Sequence, residues 1–161
     1  MPISYSTQIG TLAASMGLEI PILGSDTLDS NMVLEAASSS NVKLYVSTFY
    51  QEGGSPEFDE GIKAWLNEDA TAMTNNGGND TIAAVTAMGY DAYYVALEAL
   101  KAAGSTDPAA VKAALPGVTY TGVTGDIAFD DIGDAIRDTA YIKVADTANN
   151  TWALETMQKA G

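Results

Sequence analysis

The sequence predicts an α/β fold in which short strands alternate with helices. The first observation is the alternation itself, because helix-period and strand-period apolar patterns follow one another at short spacing near the N-terminus. The second is a long helical pattern that begins at Asp80 and ends at Gly104. The third is the stretch VTYTGVTGDIAFDDIGD, in which glycines punctuate short β-branched and aromatic runs. These patterns indicate a parallel sheet flanked by helices, followed by further strands and turns.

Composition excludes several classes of function. The 161 residues include 21 acidic and 7 basic ones, and the net charge of −14 opposes binding to nucleic acid or to an anionic membrane. Cysteine and histidine are absent, which removes disulfides, thiolate metal sites and the commonest general base. We therefore expect no cofactor, no metal and no catalytic residue. The hydrophobic content of 47% indicates a chain that folds.

The N-terminal part predicts two helix–strand units. Apolar residues at helical spacing predict a helix over residues 6–16, and a strand over residues 20–23 follows it. Ser30 is suited to cap a second helix that runs to about Ala37. The β-branched and aromatic run beyond that helix predicts a strand over residues 44–48.

The middle of the chain is predicted to be mainly helical. Ser55 and Pro56 are a suitable N-cap and first residue for a helix over residues 56–66, whose apolar stripe would include Trp65. A flexible connector, TNNGGND, should then lead to the long helix over residues 80–103.

The glycine inside the long helix and the short helix that follows it each give a prediction. Gly89 interrupts the long helix at a cost of about 1 kcal/mol relative to alanine, so we expect close backbone packing or a ligand there. Asp107 should start a short helix over residues 108–115, which the following Pro116 and Gly117 stop. The core-facing residues predicted for the long helix are Ile82, Val85, Ala92, Val95, Ala96 and Leu100.

The C-terminal part predicts strands. Ile127 and Phe129 alternate with small or polar residues, and residues 140–144 alternate in the same way. A polar turn at residues 149–150 should lead into Trp152.

The acidic and glycine-rich turns do not match known metal-binding or phosphate-binding motifs. Asp130, Asp131 and Asp134 lack the alternating acidic positions and the final glutamate of an EF-hand calcium loop, so we interpret them as a solvated turn. The segments GGSPEF and NNGGND lack the G-x-x-x-x-G-K-[ST] pattern of a phosphate-binding loop.

A known family resemblance rests on four ordered stretches, which are MGLEIPILGSD, STFYQEGGSPEFDEGIKAW, GYDAYYVALEALKAAGS and the G-V-T-G-x-I-x-F-D-x-x-G-D pattern ending at Asp134. In order and approximate spacing these stretches are similar to the type I periplasmic binding proteins. The most similar group is the branched-chain amino-acid (leucine/isoleucine/valine) binding proteins of ABC transporters. The resemblance implies two flavodoxin-like lobes, each built of a parallel sheet and helices. The lobes close on a small ligand and catalyse no reaction.

The resemblance covers only about the C-terminal half of such a protein. It implies that residues 1–48 belong to the C-terminal lobe, residues 49–133 to the N-terminal lobe, and residues 134–161 to the C-terminal lobe again. Most of the N-terminal lobe's sheet would be missing, so we interpret the chain as a fragment. No export signal is recognisable near Met1. The intact parent is nevertheless expected outside the cytoplasm, in the periplasm or as a cell-surface lipoprotein.

The resemblance also implies three candidate ligand-binding residues. In the family an acidic residue just beyond the P-I-x-G strand takes the ligand's ammonium group, and Asp26 falls there. Alternatively, Asp26 makes a turn or caps the segment after it. Tyr5 falls where an aromatic residue often lines the ligand pocket, or else it packs at a sheet edge. Tyr50 falls at the second crossover between lobes, where it lines the pocket or packs at the hinge.

These inferences predict a solute-binding component of an amino-acid ABC importer, whose partners are a small amino acid and a membrane permease. An enzyme of flavodoxin-like architecture is one alternative, although nothing in the sequence supplies a nucleophile with a base. Another is a self-associating interaction or sensor module of the same fold without a transport role. Because its apolar helices would lack the sheet that they cover, the fragment is expected to form a homodimer.

Overall fold

The computed structural model describes residues 3–38 and 41–159, with side chains from Gln8 onward. Helices and strands alternate in the N-terminal part as predicted, and a run of helices and then a run of strands follow. The helices are α1 (Ile3–Ser15), α2 (Asn31–Ala37), α3 (Pro56–Glu68), α4 (Ala70–Asn75), α5 (Ala84–Ala103) and α6 (Pro108–Ala114), with short 3₁₀ turns at Asp26–Leu28 and Leu115–Gly117. The strands are β1 (Ile22–Gly24), β2 (Leu44–Thr48), β3 (Tyr120–Gly122), β4 (Gly125–Phe129), β5 (Ala135–Ile136), β6 (Thr139–Asp146) and β7 (Thr151–Lys159).

Two sheets organise the described residues. The larger sheet has the strand order β1-β2-β6-β7, in which β1 and β2 are parallel while β6 and β7 join antiparallel. The smaller sheet, β3-β4-β5, is antiparallel throughout. Strands from both ends of the chain therefore share one sheet, and α3 to α6 with the smaller sheet lie between them in sequence. The predicted α/β class is confirmed.

One apolar cluster packs α2 against the larger sheet. Leu34 and Val46 are fully buried in it, and Trp152 of β7 joins them. The Ser30 side chain accepts the backbone N–H of Val33 at 3.2 Å, which confirms its predicted role as the N-cap of α2. The cap and the apolar face together fix the start of this helix, next to the 3₁₀ turn that precedes it.

Two further apolar clusters hold the helical part of the chain together. One surrounds Tyr50, Phe58 and Ile82. The other joins Val95 of α5 to Ile127 of β4, so the smaller sheet packs against the long helix. Burial of each large apolar side chain stabilises the fold by about 1.5–3 kcal/mol.

The long helix and the glycine-rich stretch meet at one buried carboxylate. Asp91 is 1% exposed, and its carboxylate accepts the backbone N–H groups of Val123 and Thr124 at 2.8 Å and the Thr124 hydroxyl at 2.6 Å. A Cβ atom on Gly122 would clash with this carboxylate, so glycine is required there by close approach. The Y-D-A and G-V-T-G segments are therefore two halves of a single contact.

The buried face of α5 differs from the predicted one. The residues that it buries are Ala84, Ala87, Asp91, Val95 and Ala99. Ile82 and Val95 are buried as predicted, but Val85, Ala92 and Ala96 are exposed, because the bonds of Asp91 rotate the buried face of the helix away from them. Gly89 lies on the exposed side, where a Cβ atom would meet no described atom within 4 Å. The predicted close packing at Gly89 is wrong.

Two other helical predictions need correction. Trp65 is predicted to join the apolar stripe of α3, but it is 54% exposed. The region after α3 is not a simple connector, because the Asp69 side chain accepts the N–H groups of Thr71 and Ala72 and so caps the additional helix α4. The long helix also begins at Ala84, later than predicted, since the residues before it form a hydrogen-bonded loop.

Candidate functional site

The 3₁₀ turn between β1 and α2 places Asp26 at the end of a strand. The turn is closed by the N–H groups of Leu28 and Asp29, which donate to the carbonyls of Ser25 and Asp26 at 3.0 Å. Gly24 precedes it, and a Cβ atom there would clash with the Leu28 side chain. The sequence therefore folds tightly at this point, and Asp26 lies where the chain leaves the larger sheet.

Asp29, at the end of this turn, is the centre of a buried polar cluster. Its Oδ2 atom accepts hydrogen bonds from the Thr48 hydroxyl at 2.8 Å, the Lys143 ammonium at 3.0 Å and the backbone N–H of Ala84 at 3.2 Å. The side chains of Lys143 and Asp29 are 3% and 1% exposed. The donors come from β2, β6 and the start of α5, so one carboxylate ties the turn both to the larger sheet and to the long helix.

A cavity of about 520 Å³ opens beside this cluster. One wall is formed by the 3₁₀ turn and the start of α2, and the other by the end of α4 and the start of α5. The lining residues are Asp26, Thr27, Asp29, Ser30, Asn31, Met32, Asn75, Asn76, Ala83, Val85 and Thr86. None of these lining residues is basic and two are acidic, so the wall offers carboxylate acceptors for a cationic group, while Met32, Ala83 and Val85 offer apolar surface.

A second contact joins the two walls of this cavity. The Asn31 side-chain amide donates to the Asn76 carbonyl at 2.5 Å. The Asn76 side chain in turn donates to the carbonyls of Asn79 at 2.8 Å and Thr81 at 3.0 Å. These bonds hold the loop that leads into α5 against the start of α2, and they fix the spacing of the walls.

Tyr50 lies apart from Asp26. Its ring is 2% exposed, and its hydroxyl donates to Asp59 at 2.6 Å while Phe58 packs edge-on against the ring. Burial, and then the bond to Asp59, raise the pKa of the Tyr50 hydroxyl well above its ordinary value. Tyr50 lines a different cavity of about 990 Å³, between the β3–β4 hairpin and the β6–β7 pair. The structure therefore does not bring Tyr50 and Asp26 into one cavity.

Tyr5 lies within α1 rather than after a strand, and its side chain is outside the described part of the structure. Its role toward a ligand stays a prediction. Sequence reasoning misses Asp29 and Lys143. The signal that could have found them is a lysine within the alternating apolar pattern of a strand, where a buried ion pair is one explanation.

The acidic segment that begins at Asp130 makes a local turn. The Asp130 Oδ1 atom accepts the N–H groups of Ile132 at 3.0 Å and Asp134 at 2.9 Å, which confirms the predicted turn. Within the described ranges, no group of three or more acidic side chains is placed to hold a metal ion. The helices of these same ranges include none with the length and apolar character needed to span a bilayer.

Comparison with known protein families identifies the chain. A model of the periplasmic binding protein family matches residues 6–149. The chain belongs to this family. The resemblance inferred from the sequence is confirmed at that level, and the members of the family are binding proteins. No curated protein sequence matches this periplasmic binding protein chain.

Solved structures of similar fold are more than twice as long as this binding-protein chain. The leucine binding protein LivK of Thermotoga maritima is 24% identical with a TM-score of 0.75, over 98% of this chain and 43% of that chain. LivJ of Streptococcus pneumoniae, solved in complex with isoleucine, is 20% identical with a TM-score of 0.68, over 99% of this chain and 42% of that chain. A solute binding protein of R. palustris, solved with benzoate, is 16% identical with a TM-score of 0.68, over 97% of this chain and 41% of that chain. At these identities the likeness shows the fold.

Proposed function

We propose that the parent of this chain is the extracytoplasmic solute-binding component of an ABC importer for branched-chain-type amino acids. The observation that carries the proposal is the position of Asp26 on the wall of the cavity of about 520 Å³. A carboxylate there provides an acceptor for the ligand's ammonium group. Met32, Ala83 and Val85 on the same walls provide apolar surface for an aliphatic side chain. The ligand is captured by closure and then delivered to a membrane permease, with no covalent step.

The proposal divides the chain between two lobes. Residues 1–48 and 134–161 form part of the C-terminal lobe, and residues 49–133 form part of the N-terminal lobe. The strand order β1-β2-β6-β7 supports this division, because it joins strands from the first and last of these ranges in one sheet. The bond from Ala84 to Asp29 then crosses between the lobes, and the cavity lies between them.

The ligands of the similar structures define a discriminating panel. LivJ was solved with isoleucine and the R. palustris protein with benzoate. Isoleucine carries an ammonium group, whereas benzoate carries a carboxylate alone. A site built around Asp26 should bind the first kind of ligand and reject the second, because an unpaired carboxylate repels another carboxylate.

Replacing Asp26 by asparagine is expected to weaken amino-acid binding by about 2–5 kcal/mol, because the desolvated ammonium loses its charged partner. Calorimetric titration of the intact parent with leucine, isoleucine and benzoate measures the effect. Asp131→Asn makes the same change of charge at an exposed turn residue and should leave the affinities unchanged. Equal affinities of the parent and Asp26→Asn for every amino acid would rule out this role.

A second candidate function is suggested by exposed apolar side chains on the helices. Val85 is 68% exposed, Tyr93 62% and Trp65 54%. Each such side chain left in water forgoes about 1.5–3 kcal/mol of burial free energy. We propose that the chain covers this surface by forming a two-fold homodimer, as a self-associating interaction or sensor module without a transport role.

Light scattering at micromolar concentration is expected to report a dimer of the chain. Tyr93→Glu places a charge on the exposed face of α5 and should shift the equilibrium to monomer. Leu12→Glu is a matched control, because Leu12 is 59% exposed on α1 and lies outside that face. A monomer that binds no apolar dye and keeps its stability on dilution would contradict the dimer.

A further inference from the structure

The loop after α4 contains the one asparagine–glycine pair of the sequence, Asn76-Gly77. Asparagine is chemically labile, and it is most labile before glycine, because no side chain then shields the backbone nitrogen that attacks the asparagine side chain. Asn76 is half-buried and Gly77 is exposed, so solvent reaches the pair. The pair is therefore a candidate site of deamidation.

The fold uses both residues of this pair. Gly77 has a φ of +81°, and an added Cβ atom would come within 2.8 Å of the Asn31 Cβ atom. The Asn76 side-chain amide donates to the carbonyls of Asn79 and Thr81. A change of either residue would disturb the contact between the start of α2 and the loop that leads into α5. The labile pair is thus part of the wall of the cavity of about 520 Å³, which Asn76 lines.

The same contacts hold the reacting atoms apart. Deamidation begins when the Gly77 backbone nitrogen loses its proton and attacks the Cγ atom of Asn76. In the fold this N–H donates to the Thr74 carbonyl at 3.1 Å, and the carbonyl of the same peptide unit accepts the Asn31 side chain. Because ψ of Asn76 is 11°, the Gly77 nitrogen nearly eclipses the Asn76 backbone nitrogen rather than its Cβ atom. The peptide unit must rotate, and both bonds must break, before the reaction can start.

We propose that Asn76 is a deamidation site, and that the hydrogen bond from Asn31 across the cavity restrains its conversion. A bond forms between the Gly77 nitrogen and Cγ, the Cγ–Nδ2 bond breaks, and Nδ2 leaves as ammonia. Water then opens the cyclic imide at either carbonyl, which gives aspartate or isoaspartate without any oxidant or reductant. The inference goes beyond the proposed function and does not depend on its ligand.

Conversion of Asn76 releases the loop from α2. The aspartate product lacks the two N–H donors of the amide, so a carboxylate faces the carbonyl oxygens of Asn79 and Thr81. The isoaspartate product also lengthens the backbone by a methylene group, which moves Gly77 away from Asn31. Either product therefore removes contacts that fix the spacing of the two cavity walls.

Peptide-mapping mass spectrometry of the 161-residue chain, incubated at mildly alkaline pH, measures the deamidation rate at residue 76. The rate should be lowest in the folded wild-type chain and highest in guanidinium chloride, where no contact holds the peptide unit. Asn31→Ala removes the bond from α2 and should raise the rate in the folded chain about two- to tenfold, the factor that one hydrogen bond gives. Asn149→Ala, at an exposed turn residue, is the matched control and should leave this rate unchanged.

Asn76→Asp reproduces the aspartate product and tests its effect on the cavity walls. The backbone N–H of Ala84, which donates to Asp29 across the cavity, should exchange with solvent about tenfold faster or more. The backbone N–H of Val123, which donates to Asp91 in the hairpin contact, should keep its exchange rate.

Four results would overturn the inference. Two of them need no variant, namely a folded chain that converts Asn76 as fast as the unfolded chain, and an unfolded chain that converts it no faster than Asn150, which precedes threonine. The third is an unchanged rate in an Asn31→Ala chain with a wild-type circular-dichroism spectrum. The fourth is unchanged exchange of the Ala84 N–H in Asn76→Asp, which would mean that conversion does not release the loop.

Discussion

Gly122→Ala is expected to destabilise the chain by about 3 kcal/mol or more. The added Cβ atom meets the carboxylate of Asp91, which is buried and held by the N–H groups of Val123 and Thr124 and by the Thr124 hydroxyl. Overpacking costs about 1–3 kcal/mol, and each hydrogen bond to a charged group that is lost costs about 1.5–3 kcal/mol more. Urea unfolding followed by circular dichroism measures the change.

Gly89→Ala is the matched control for that substitution. Gly89 lies on the same helix as Asp91, but its added Cβ atom meets no described atom within 4 Å. Alanine is the better helix former, so this variant should gain about 0.5–1 kcal/mol. The two glycine-to-alanine changes should therefore have opposite signs. Equal free energies of unfolding for the two variants would mean that the Asp91 carboxylate does not contact Gly122.

Lys143→Met is expected to destabilise the chain by about 3–5 kcal/mol, because it leaves the charge of Asp29 buried without its partner. Adding Asp29→Asn should restore most of that loss, since no buried charge then remains. The free energies of unfolding of the two single variants and the double variant complete a mutant cycle. Their coupling should be large and favourable.

An exposed ion pair on α5 provides the control for this cycle. The Lys101 Nζ and Glu98 Oε1 atoms lie 2.6 Å apart, and the two side chains are 70% and 41% exposed. Lys101→Met should change stability by about 1 kcal/mol or less, because water screens the pair. A Lys143→Met effect as small as that of Lys101→Met would show that the Asp29 cluster does not tie the turn to the larger sheet.

Elements that depend on local signals could be predicted from the sequence. The strand predicted over residues 44–48 is β2 as observed, and α3 and α6 begin at Pro56 and Pro108 as predicted. Alternation of apolar residues, caps and proline at the first helical position act within a few residues of each other. The position of Asp26 after a strand follows in the same way, with its ligand role taken from the family resemblance.

Features that depend on distant pairing could not be predicted. Lys143 and Asp29 are 114 positions apart, and a single lysine in a strand is usually a solvent-facing residue. The sequence predicts only a turn leading into Trp152 where the long strand β7 forms, because its exposed half has no apolar alternation to mark it. The buried face of α5 is hard to predict because a carboxylate, Asp91, lies at its centre. In each case tertiary contacts override the local pattern.

The position of Tyr50 shows the same limit at the site. Its place at a crossover suggests either pocket or hinge, and local sequence does not distinguish them. Asp59 lies nine residues further along the chain and accepts a hydrogen bond from the Tyr50 hydroxyl. This bond holds the Tyr50 ring beside the larger cavity. That outcome depends on how α3 docks, which no local pattern specifies.

The most direct test of the proposed ligand site is where leucine changes the backbone amide spectrum of the intact parent. We expect the largest shifts on the two walls of the smaller cavity, at Asp26 and Thr27 on one side and at Ala83 and Thr86 on the other. Residues 119–128, which line the larger cavity, should keep their shifts. Changes confined to residues 119–128, or no change at saturating leucine, would contradict the assignment of the ligand to the smaller cavity.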